Sequence, residues 1–308
     1  MTAVPFRCSV AGEARGDELA GTASTVRAYL LMEHPGPWGV DALRDSRMPA
    51  ALGPALRRHT AAHGVRPLLI RRPGRVPKSQ SPVVGSRVFA VSARSEPGIE
   101  PWIETAVVPD LEAVLDLDLA ALAAGRSLGL EPHHEPLFCV CTHGRHDTCC
   151  AERGRPVAAA LAAVDPDRTW ECSHIGGDRF AGNVLVLPHG LYYGRLDVDS
   201  GPTMAAAHLV GRLDLQHLRG RSSLPMPVQA AEIALRLHLE EPGLDAVRLL
   251  GRDGSTGDTV ARFAVGPREY AVRVRSALGA DAFQLTCRAG ADSPVPREEI
   301  LSIERLDG

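Results

Sequence analysis

"LFCVCTHGRHDTCCAERGRPVAAALAAV", residues 137–164, reads as three consecutive parts. "LFCVCTH" is a short apolar run of strand character, and "CCAERGRPVAAALAAV" places Ala and Val on one face of a helix. The join between them is the unusual part. Residues 138–150 hold four of the chain's seven cysteines and two of its histidines. A packed domain does not require so many soft ligands in one short segment. A strand, a ligand-rich loop and a helix in that order therefore suggest an α/β unit built around a metal or redox site.

Composition narrows the chemistry. A chain of 308 residues with 44% hydrophobic content can bury a core without covalent staples, which serve mainly small secreted domains. The start, "MTAVPFRCSVAGEARGDE", lacks a basic stretch followed by an apolar run, so no secretory leader is expected. No stretch approaches the roughly 18–20 apolar residues of a membrane span. An odd count of clustered cysteines in a chain expected to be cytoplasmic points to metal or redox chemistry rather than cross-links. A net charge of −3 gives no field that would draw the whole chain onto nucleic acid. Neither nucleic acid nor a membrane is an expected partner, and the sequence carries no sign of oligomeric state.

Length favours more than one domain. In residues 1–134, "VRAYLLMEHP" (26–35), "RPLLIRR" (66–72) and "RVFAVSAR" (87–94) read as strands. "PAALGPALRRHTAAHG" (49–64) and "PDLEAVLDLDLAALAAG" (109–125) read as helices ending on glycine. "EPHHEP" (131–136) reads as a linker. Residues 135–222 continue with the strand–loop–helix, a strand "RTWECSHI", a glycine turn, two strands joined at Pro188-His189-Gly190, and the helix "PTMAAAHLVGRLDL". That order is the one expected of a thioredoxin-like domain. Residues 223–308 open with the helix "VQAAEIALRLHLEE" and continue in alternating segments around a hairpin at "VGPRE", as a small α+β extension would. The expected fold class is α/β: an N-terminal α/β domain, a thioredoxin-like domain and the extension.

The segments "LLMEHPGPWG", "CTHGRHDTCCAERGRPVAAAL" and "WECSHIGGDRFAGNVLVLPHGLYYGRL" resemble the sucrase/ferredoxin-like family over most of residues 20–220. The resemblance implies a thioredoxin-like ferredoxin domain. It also implies a [2Fe–2S] cluster held by two cysteines in a C-x8-C pattern and two histidines in a downstream H-x3-H. Cys141 and Cys150 satisfy the first pattern and His174 the first histidine. The second histidine position is Asp178, which becomes the favoured fourth ligand, with Cys172 second. No carboxylate pair in a sugar-binding context supports a sucrase activity.

The residue chemistry agrees with such a site. Cys141 ends a strand, and Cys150 lies in the first turn of a helix, where the macrodipole favours a thiolate. His174 ends the next strand, and the Ile175-Gly176-Gly177 turn returns Asp178 within its reach. His143 and His146 are expected to donate hydrogen bonds to sulfur. Cys139 and Cys149 are expected to pack, and Cys8 and Cys287 to be incidental. The expected function is electron transfer or redox sensing by a non-catalytic [2Fe–2S] protein with an unidentified redox partner protein. The alternatives are a thiol–disulfide oxidoreductase and a structural zinc protein. Against the first stands the absence of a C-x-x-C motif at the helix start. Against the second stands the rarity of an aspartate in closed zinc sites.

Overall fold

The computed structural model describes residues 5–74, 85–96, 98–255 and 257–306. A short helix α1 (Cys8–Ala14) precedes the N-terminal half. That half then runs β1 (Ala28–Glu33), α2 (Ala42–Asp45), α3 (Leu52–Ala62), β2 (Arg66–Arg71), β3 (Ser86–Ser92), β4 (Trp102–Val108), α4 (Leu119–Ala123) and β5 (Glu131–Pro132). The middle runs β6 (Leu137–Cys141), α5 (Thr148–Val164), β7 (Thr169–Cys172), β8 (Val184–Leu187), β9 (Leu191–Tyr193), α6 (Ser200–Leu209) and β10 (Leu218–Arg221). The C-terminal part is α7 (Met226–Leu239) followed by β11 (Val247–Ser255), β12 (Asp258–Val265), β13 (Arg268–Phe283) and β14 (Ser293–Leu306). The chain is thus an α/β protein with one large and one small sheet.

Strands β1 to β10 form a single sheet in the order β10-β9-β8-β6-β7-β2-β1-β3-β4-β5. The connection at 134–135 falls between β5 and β6, yet strands from both sides of it share this sheet. They join where β2 meets β7 antiparallel, Ile70 opposite Cys172 and Arg71 opposite Glu171. The sheet is strongly curled. Five strand spacings separate β9 from β1 in that order, roughly 24 Å if flat. Nevertheless the hydroxyls of Tyr29 and Tyr192 lie 3.4 Å apart, and Val26 N–H donates to Ser222 O just beyond the far edge.

Alternation along each strand follows from this curl. On β6, Leu137, Cys139 and Cys141 face the inner core with Tyr29, Ile70 and Trp170. Phe138 and Val140 face outward, under Val157, Ala158 and Leu161 of α5. On β1, Leu30 and Met32 face outward under Leu56 of α3. The C-terminal four strands form an antiparallel meander, with Val272 and Val274 packed against Val228, Ala231 and Leu235 of α7.

Three local expectations change, one of them the helix expected over 202–215, which ends as α6 at Leu209. The helix expected over 109–125 is a 3-10 turn, Leu111–Asp116, followed by the short α4. The aspartates break it. Asp110 caps the first piece and Asp118 accepts from Ala121 N–H to start the second, while Leu117 between them is extended. The linker 131–136 begins as β5, which pairs with β4 through Thr105 and Glu131. Among the described residues no helix is long and apolar enough to cross a membrane.

Candidate metal centre

The C-terminal ends of β6 and β7 and the first turn of α5 converge. β6 and β7 run parallel with Cys141 beside Cys172, so both strands end at the same level. α5 begins at Asp147, whose carboxylate accepts from Cys149 N–H at 2.9 Å and so fixes the helix start. The helix lies very close to the strand. A Cβ on Gly154 would stand 2.1 Å from the carbonyl oxygen of Cys141, so only glycine allows this approach.

After β7 the chain reverses through Gly176 and Gly177, both left-handed with φ of 96° and 81°. A 3-10 turn at Asp178–Phe180 follows. Buried Arg219 holds the reversal: its guanidinium donates to Gly176 O at 3.0 Å, to Asn183 Oδ1 at 2.8 Å and to Thr22 O at 2.6 Å. Neither Arg219 nor Asn183 carries a ligand-like pattern in the sequence. Their role exists only once β10 lies beside the reversal.

The result is a compact donor cluster. The sulfurs of Cys141 and Cys150 and a ring nitrogen of His174 all lie within 4.8 Å of one another. Ring nitrogens of His146 and His174 and a carboxylate oxygen of Asp178 form an overlapping group of the same spacing. Asp178 Oδ1 accepts from Cys150 Sγ at 3.1 Å and lies 3.0 Å from His174 Nδ1. The latter is an ion-pair contact at hydrogen-bond distance between the imidazole and the carboxylate. Cys172 stands outside these groups, in the inner core with Trp170 and Ile175.

The charges are coupled. Hydrogen bonding to Cys150 holds Cys141 well below the usual thiol range despite its burial, and His174 assists. Cys150 is pushed up by that same contact, by burial and by Asp178. Of the two, Cys141 rather than the Cys150 expected at the helix start is the thiol favoured as thiolate, because Cys150 donates to it. Burial works against a charged His174, but Asp178 and Cys141 outweigh it and raise the imidazole to about 9. Burial likewise works against the Asp178 carboxylate, and His174 outweighs it. Burial alone pushes Cys139 up to about 12, as befits a packed thiol.

His143 and His146 do not donate to sulfur. His143 Nδ1 accepts from His174 N–H at 3.2 Å, so its Nε2 donates to Gly39 O at 2.9 Å. His146 Nδ1 lies 3.3 Å from Val40 O, and its ring stacks on His174 at 3.8 Å between centroids. The "HPGPWG" turn of the N-terminal half thus touches the centre, with buried Trp38 edge-on to His143 at 5.7 Å. A satisfied His143 and a stacked His146 set the position of His174 from two sides.

Residues 19–220 match the sucrase/ferredoxin-like family, and the chain belongs to it. No curated protein and no solved structure matches the chain.

Proposed function

We propose that this member of the sucrase/ferredoxin-like family carries a [2Fe–2S] cluster and serves in electron transfer or redox sensing. Cys141 and Cys150 would bind one iron, and His174 with Asp178 the other. The observation that carries the proposal is the convergence of two buried thiols, the Nδ1 of His174 and the Asp178 carboxylate in one compact donor cluster. Two thiols, an imidazole and a carboxylate gathered this closely are a donor set that suits a metal. Such a cluster would supply one-electron transfer at a potential set by ligand charge and exposure.

The chain's own residues divide the work. Cys141 and Cys150 are each 1% exposed, which shields the thiolate side from water and oxidants. His174 keeps about a quarter of its side chain exposed, so the imidazole side is the route by which an electron would enter from a protein partner. Asp178 offers a negative oxygen, and Arg219 fixes the turn that presents it.

The family's thioredoxin-like frame is consistent with the order β7-β6-β8-β9. A disulfide oxidoreductase is disfavoured because Cys149 and Cys150 point into different clusters and cannot act as a pair. A single zinc ion is the second reading. Donor atoms within 4.8 Å of one another also suit one tetrahedral ion, whose thiolate edge is about 3.8 Å.

The visible spectrum together with iron, acid-labile sulfide and zinc content separates the readings. Two irons and two sulfides per chain in a red-brown protein support the cluster. A colourless protein with one zinc at Cys141 and Cys150 would overturn it.

A further inference from the structure

The three cysteines expected to be packed or incidental meet at one point. Cys149 Sγ lies 3.4 Å from Cys287 Sγ, and Cys287 Sγ lies 3.6 Å from Cys8 Sγ. Cys8 Sγ in turn is 3.6 Å from both carboxylate oxygens of Asp147. The four donors all fall within 4.8 Å of one another. Cys8 and Asp147 are fully buried and Cys149 nearly so, while Cys287 keeps partial exposure. All three thiols are free.

Simple packing does not require this arrangement. Buried cysteines pack as small hydrophobes against apolar neighbours. Here three sulfurs instead surround a buried carboxylate, already held by N–H groups of Cys149 at 2.9 Å and Cys287 at 2.7 Å. The spacings match a metal site. A zinc–thiolate bond of about 2.3 Å in a tetrahedron puts sulfurs about 3.8 Å apart, close to the 3.4 and 3.6 Å seen.

We propose that Cys8, Cys149 and Cys287 supply three thiolates to a second metal site that binds one zinc ion, with Asp147 as an uncommon carboxylate fourth ligand that the three-sulfur majority makes workable. Each thiol releases its proton to solvent as its sulfur binds, and no electron is transferred. The site uses the N-terminus of α1, the first turn of α5 and the loop after β13. Cys8 and Cys287 lie outside the family-matched residues 19–220, so two of the four donors come from beyond the segment that carries the first centre. It fastens both ends of the chain to the helix turn that also carries Cys150.

The test uses full-length protein purified anaerobically under reducing conditions. Because the first centre could also take zinc, the decisive protein is Cys141→Ser/Cys150→Ser, titrated separately with Zn2+ and Co2+. One zinc per chain, and an intense tetrahedral thiolate–cobalt spectrum at one equivalent, are expected. Adding Cys287→Ala, a change at a partly exposed loop position, should abolish both. Cys287→Ala in an otherwise native chain should keep its iron and visible spectrum.

The proposal is overturned if the Cys141→Ser/Cys150→Ser protein binds no zinc, or if Cys287→Ala leaves its zinc content unchanged. A Cys149–Cys287 disulfide in the reduced, metal-loaded protein would also overturn it. Should the double variant not fold, zinc that persists in wild type alongside a full iron complement, and disappears in Cys287→Ala, supports the same conclusion; its persistence in Cys287→Ala refutes it. Iron content alone does not bear on the zinc result, so failure of the cluster assignment is read separately.

Discussion

Gly154→Ala should loosen the metal centre without touching a ligand. The added Cβ would stand 2.1 Å from Cys141 O and 3.2 Å from its carbonyl carbon. Ordinary contact begins near 3.4 Å, so α5 must retreat by about 1.3 Å from the end of β6. The obstacle is backbone and cannot rotate away. Overpacking of this kind costs about 1–3 kcal/mol, and the clash belongs at the upper end. Replacing glycine by alanine within a helix returns about 1 kcal/mol. The expected net loss is about 2 kcal/mol, a fall in Tm of about 3 °C for a chain of this size. Cys150 lies one helical turn before Gly154 and moves with it, away from Cys141. Metal should therefore leave faster to a chelator than from wild type. The assays are thermal unfolding of the metal-loaded protein and the rate of metal release to a chelator. An unchanged or raised Tm with a wild-type release rate would show that the close approach of α5 does not hold the centre together.

Asp178→His should keep the cluster and raise its potential, since a neutral imidazole replaces a negative carboxylate that favours the oxidised state; Asp178→Ala should make the cluster labile. A redox titration followed in the visible range checks both, and the assignment fails if Asp178→Ala is unaltered while Cys172→Ser loses the cluster. Burial lowers His208 to about 4 from its ordinary 6.5, with His189 adding repulsion at 5.2 Å between ring centroids. The unfolded chain therefore takes up this proton first, and stability should be full above about pH 6.5 and fall toward pH 4. The loss reaches about 3 kcal/mol at about 1.4 kcal/mol per pH unit. Urea midpoints across that range should drop less steeply in His208→Phe, and equal slopes would disprove the link. Glu232 accepts from fully buried Arg236 at 2.8 Å and lies 3.8 Å from Arg221. Glu232→Ala should therefore cost about 3–5 kcal/mol by leaving buried cations unpaired, and a denaturation midpoint showing less than about 1 kcal/mol would contradict it.

Most of the main donor cluster lies within short stretches of sequence. Cys141 and Cys150 are joined by one strand, loop and helix, and His174 and Asp178 by one glycine turn, so the donors that the family resemblance singled out are kept close by short stretches of chain. Apolar periodicity and glycine also marked β6, α5, β7, β8 and β9, whereas α6 ends at Leu209, short of the expected residue 215. The break in residues 109–125 escaped that reading because periodicity registers the leucines and alanines, whereas the break comes from the capping bonds of Asp110 and Asp118. Strand β10 carried no such signal either, and with it came Arg219, which steadies the turn before Asp178. Tertiary structure alone decided two larger matters. The curl that brings Tyr29 against Tyr192 makes one inner core from segments that read as separate domains, because strand order and twist are set by pairing between distant parts of the chain. The meeting of Cys8 with Cys287, 279 positions apart, has no spacing to betray it. Three isolated cysteines become one donor set only when both ends of the chain pack against the start of α5.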